Sequence, residues 1–159
     1  MPDTIPWASA RDAAISAHQL LVVAWPDPIL DSAGHDPRAT YARRFWLPTL
    51  GPSTLLLMAL LVERLEREPS GFRLDATTTA QALGLSASDS RHAPFGRSLL
   101  RMVRFRQAEL RDDGAFAVRR RLPALTHRQV SKLPEGLAAA HDAFVAARPR
   151  ATAPVQRSA

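Results

Sequence analysis

The run TLLLMALLVERLER at residues 54–67 constrains the fold more than any other segment. Its unbroken apolar stretch, LLLMALLV at residues 55–62, falls far short of the ~20 residues that cross a bilayer. A helix that is apolar nearly all round belongs in a core. Gly51-Pro52-Ser53 supplies a start, and Glu63, Arg64, Glu66 and Arg67 carry the far end into solvent. A core helix over residues 53–67 is therefore expected, with Leu56 and Leu60 among its buried positions.

Thirteen prolines divide the rest into short pieces. Residues 1–18 lack periodicity and are expected to be a mobile arm. QLLVVAWP at 19–26 is β-branched and aromatic, so it is expected to be extended. PDPILDSAGHDP is too rich in Pro, Gly and Asp for a long regular element. Asp36-Pro37 has the form of a helix start, and that helix should stop before Pro48. A short helix over 76–83 ends at Gly84, which suits a left-handed C′ position. A third main helix spans 94–106. Alternation around Asp113-Gly114 predicts a β-hairpin with strands near 107–111 and 115–120. Leu83, Leu99 and Val103 complete the expected core. Thr126 and Gln129 match a capping box, and a further helix follows Pro134. These C-terminal helices occupy 122–147, and the Pro-, Ala- and Arg-rich residues 148–159 are expected to be disordered.

The sequence narrows the chemistry. With no cysteine there is no disulfide, thiolate metal site or cysteine nucleophile. The five histidines, at 18, 35, 92, 127 and 141, are never three or four residues apart, so no metal site is expected. His35-Asp36 is explained by a turn and helix cap. There is no Gly-rich phosphate loop, and no nucleophile, base and orienter converge, so neither enzyme activity nor a cofactor is expected. No basic segment leads into an apolar run at the N-terminus, and the expected location is the cytoplasm.

The net charge of +6 is unevenly placed. Residues 1–90 hold seven Arg and ten acids, whereas residues 91–132 hold ten Arg, one Lys and three acids. One basic block on a mildly acidic chain suits a polyanion partner. Within it, GRSLLRMVRFRQAELRDDGAFAVRRR places Arg101 about 40° and Arg104 about 20° from Arg97 around a helix. Phe95, Leu99, Met102 and Val103 fall on the opposite side. A core helix, a short helix ending in Leu83-Gly84-Leu85 with Ala80 three residues before it, an arginine-striped helix and a hairpin tipped by Asp113-Gly114 follow in order. This order resembles the winged helix-turn-helix superfamily over residues 53–121, with 19–52 as an N-terminal extension. The fold class expected is mainly α with a small antiparallel β-hairpin. One departure is SASDSRHAP, longer than the usual turn, whose Ser86, Ser88, Ser90, Arg91 and His92 can bond phosphate oxygens.

The resemblance implies that the third helix enters a major groove and the hairpin lies along the backbone or minor groove. The expected nucleic-acid-binding residues are Arg91, His92, Arg97, Arg101, Arg104, Arg119 and Arg121, with duplex DNA as partner and regulation as role. Strand alternation would send Arg120 to the face opposite its neighbours. Five to seven phosphate contacts would give a salt slope of roughly −5 to −6. A protein-interaction adaptor is the alternative use of such a fold. Trp25, Tyr41, Phe45 and Trp46 either pack the N-terminal segment onto the core or form a partner or homodimer surface.

Overall fold

The chain, seen in a computed structural model, is described over residues 19–86 and 93–148. Arg91, His92, the expected arm 1–18 and the tail beyond Arg148 lie outside these residues. The chain divides into two units at Ala124/Leu125. The first is mainly helical with one mixed sheet.

That unit begins with strand β1 (Gln19–Ala24), in which Leu20 and Val22 are buried and Gln19 and Leu21 are exposed. A short helix α1 (Pro28–Ala33) follows, capped by Asp27, whose Oδ1 accepts the Leu30 N–H at 3.0 Å. Asp36-Pro37 does not cap a helix. Asp36 Oδ1 instead accepts the Arg38 N–H at 2.8 Å, closing a turn ahead of it.

The next helix passes Pro48 rather than stopping before it. A π-helical turn (Ala42–Trp46), in which the Leu47 N–H reaches Ala42 O, leads into α2 (Leu47–Leu50). Pro48 thus follows directly on a wider π-helical turn, and the helix continues through it. Tyr41, Phe45 and Trp46 are all buried here. Tyr41 stacks on His35 with centroids 3.6 Å apart, and Trp46 Nε1 donates to Pro123 O at 2.8 Å. These three aromatics therefore pack the N-terminal segment onto the core.

Gly51, at φ +80°, turns the chain into the core helix α3 (Pro52–Arg67). Thr54, Leu55, Leu57, Met58, Leu61, Val62 and Leu65 are its buried positions. Leu56, expected in the core, is 59% exposed, and Leu60 is half-buried. The reason is rotational phase. Residues 56, 60, 63 and 67 share one helix face, and Glu63 and Arg67 pair on it at 2.9 Å in solvent. Leu83 and Val103 are also only half-buried, whereas Leu99 is buried as expected.

Strand β2 (Phe72–Asp75), helix α4 (Ala76–Ala82), helix α5 (Pro94–Arg104) and strands β3 (Ala108–Leu110) and β4 (Phe116–Val118) complete the unit. Gly84 takes the left-handed conformation expected after α4. Gly114, also at positive φ, donates its N–H to Arg111 O in the β3–β4 turn. The β3–β4 hairpin is antiparallel, but it is half of a larger sheet ordered β2-β1-β4-β3. β1 pairs antiparallel with β2 and parallel with β4. The small antiparallel hairpin expected from sequence is thus part of a four-stranded mixed sheet.

In the second unit, α6 (His127–Val130) starts at the expected Thr126–Gln129 capping box, and α7 (Glu135–Ala146) follows Pro134.

Candidate nucleic-acid interface

Helix α5 has the two faces its sequence implies. Phe95, Leu99 and Met102 are buried against the core, and Arg97, Arg101 and Arg104 are exposed together. Arg101 is partly committed: its Nε and Nη2 donate to Thr49 O at 3.1 and 2.8 Å. That carbonyl belongs to the last turn of α2, where backbone oxygens lack helical partners. Arg101 is therefore anchored at its base, while Arg97 and Arg104 have no carboxylate partner among the described residues.

The helix ends in an unusual way. Phe105, Arg106 and Gln107 donate their N–H groups to Arg101 O, Val103 O and Met102 O. The pattern closes the last turn around a left-handed residue, the place glycine ordinarily takes. Here the residue is Arg106, at φ +59° and exposed to solvent. An L-residue in that conformation costs about 1 kcal/mol relative to glycine. Sequence reasoning passed over Arg106. The signal was an arginine in the C′ position, just past the last turn of an arginine helix.

The arginines after the hairpin do not join this face. β4 ends at Val118, so the alternation expected through residue 120 does not extend that far. Arg119 Nη1 pairs with Asp27 Oδ2, and its guanidinium lies 4.2 Å from the Trp25 ring centroid. Arg120 pairs with Asp31 at 2.8 Å. Arg121 Nη1 donates to Gly34 O at 3.3 Å. All three reach back to the segment around α1, and two are neutralised there.

Asp27 is held below the usual carboxylate range, first by the Leu30 N–H it caps and then by Arg119. A second knot involves Arg38, which bonds Asp36 at 2.7 Å and Glu66 at 2.6 Å. Its guanidinium holds both carboxyls below their ordinary range. A lowered folded pKa adds stability that is fully present above the unfolded value. Thermal midpoints should therefore be flat above about pH 4–5 and fall as pH drops through the depressed folded values. Arg38→Met should flatten that acid limb. An unchanged limb in the variant would assign acid sensitivity to other groups.

Among the described residues no group of three or more His, Asp or Glu side chains could hold a metal, and no helix is long and apolar enough to cross a membrane. No family model, no curated protein and no solved structure matches this chain, so its exposed arginine face stands on its own geometry.

Proposed function

We propose that this chain binds nucleic acid, most simply duplex DNA, in a regulatory and non-enzymatic role, with α5 as the helix presented to the groove. One observation carries the reading. Arg38, Arg64, Arg67, Arg119 and Arg120 each pair with a carboxylate, while Arg97, Arg101 and Arg104 share an exposed face with none among the described residues. A stripe of unneutralised guanidinium groups is suited to phosphate oxygens and guanine edges. Arg106 is in keeping with the same reading, since residues held in sparsely populated backbone conformations cluster at functional sites. The order α3, α4, α5 and hairpin is also the order on which the winged helix-turn-helix resemblance rests.

The count of contacts is smaller than the sequence suggested, because Arg119 and Arg120 are already paired. Arg97, Arg101, Arg104 and Arg106 would neutralise about four phosphates, giving a log–log salt slope of roughly −3 to −4. The measurement is binding to random duplex DNA across a salt series. Arg106→Gly should lower the slope by about one, while raising stability by about 1 kcal/mol. Arg97→Ala should cost about 1–3 kcal/mol on a preferred site if Arg97 meets a base edge. No binding at about 50 mM salt, or binding indifferent to salt, would favour the protein-interaction adaptor.

A further inference from the structure

The three arginines that follow β4 run alongside the segment that contains α1, and the two stretches are matched in order. At one end the Trp25 N–H donates to Val118 O; at the other, His35 and Leu122 exchange both backbone hydrogen bonds, all at 2.8 Å. Between these anchors Arg119 pairs with Asp27, Arg120 pairs with Asp31, and Arg121 donates to Gly34 O. Each arginine of the triplet thus meets an acceptor from residues 27–34. The approach is close enough that a Cβ on Gly34 would lie 2.8 Å from the Cβ of Arg121.

Little apolar packing backs these charge pairs. Leu30 is the one buried residue of α1, and Ile29 is 80% exposed. A cavity of about 410 Å³ is lined by Ile29, Leu30 and Ala33 on the α1 side and by Arg119 and Pro123 across from it. The Arg120 side chain is 44% exposed, so an incoming anion can reach it. Ion pairs as open to solvent as Arg120–Asp31 are individually weak. A phosphate offers a guanidinium fork the same charge and the same oxygen spacing as a carboxylate. The anchors at Trp25 and His35 are backbone bonds, so exchanging the acids for phosphates leaves both ends of the segment attached.

We propose that residues 26–34 are an autoinhibitory strap, in which Asp27 and Asp31 occupy Arg119 and Arg120 in place of nucleic-acid phosphates. The strap keeps a second basic surface closed until its carboxylates let go. The inference rests on the nucleic-acid reading for its partner and adds to it a surface that α5 does not supply. The free chain then binds through the α5 arginines alone, and a chain without the two carboxylates binds through both surfaces.

The test is a salt series with random duplex DNA on the full chain, comparing the parent with Asp27→Asn/Asp31→Asn. Asparagine at 27 keeps an oxygen to cap α1, so the helix start is retained. The double variant should bind roughly tenfold or more tightly at about 0.1 M salt, and its log–log slope should steepen by about two. Adding Arg120→Ala to it should return the slope by about one. Asp112→Asn/Glu135→Gln removes the same charge from two exposed acids that have no arginine partner among the described residues. That control should tighten binding by less than about threefold and leave the slope unchanged, since exposed charges beyond a Debye length are screened. If Asp27→Asn/Asp31→Asn does not fold, Asp31→Asn alone should steepen the slope by about one. A parent that binds, with a strap variant no tighter than the control, overturns the strap and leaves the nucleic-acid reading standing. Binding by the strap variant but not by the parent supports the strap and overturns the reading built on α5. Absence of binding in both overturns both.

Discussion

Trp46→Ala should lower the unfolding free energy by about 3–5 kcal/mol, the range for truncating a buried aromatic. Trp46 is 1% exposed, so nearly all of its indole surface is lost from packing. The truncation also removes the 2.8 Å hydrogen bond to Pro123 O, which joins the π-helical turn to the last residues of the first unit. Domains of this size have only about 5–15 kcal/mol of stability in total, so the variant should stand close to its unfolding midpoint at room temperature. Trp46→Phe separates the two effects. It retains most of the apolar volume and leaves the carbonyl without its donor, at a cost of about 1–3 kcal/mol. Urea unfolding of the three proteins provides the measurement. A midpoint for Trp46→Ala within error of the parent would show that this side chain is not part of the core.

Gly71→Ala should be strongly destabilising for a change that adds a single carbon. Gly71 sits at φ +101°, a conformation L-residues rarely adopt, and that alone costs about 1–3 kcal/mol. A Cβ there would also lie 2.7 Å from the carbonyl oxygen of Val22, a backbone atom of β1 that cannot swing aside. The collision falls beside the Val22–Phe72 pair that joins β1 to β2. Loss should therefore exceed the conformational cost alone and should appear as faster amide exchange across β1 and β2. Gly114→Ala is the control. It shares a positive φ of 84° but has nothing within 4 Å of the added carbon. Equal losses in both variants would remove the contact with Val22 from the account.

Some features were legible in the sequence because the pattern within one segment decides them. The two faces of α5 follow from arginines and apolar residues on opposite sides of one turn. The capping box at Thr126 and the left-handed Gly84 are likewise local. α3 was legible as a core helix but not in its phase, because a segment apolar all round does not say which side faces out. Its Glu63–Arg67 pair held that information and placed Leu56 outside. β2 carries a four-residue alternation, with Phe72 and Leu74 buried and Arg73 exposed, too brief to stand out beside a helix start. The arginines at 119–121 were misplaced for a different reason. Summed charge over a block does not reveal which distant acids the fold brings near, and Asp27 and Asp31 lie roughly ninety residues upstream. Pro48 was read as a stop because the π-helical turn that admits it leaves no mark in composition.

The position of β1 has a consequence for how the chain is made. This strand emerges from the ribosome ahead of both its neighbours, yet it lies between them. Its parallel partner β4 follows roughly ninety residues later, a separation that makes closure of the sheet slow. β2 can cover one edge of β1 as soon as it is made, but until β4 arrives the other edge stays unpaired and open to any other chain. The nascent protein should be most prone to aggregation during that interval, and a burst of hydrogen-exchange protection across β1 should coincide with release of the hairpin rather than with formation of α3.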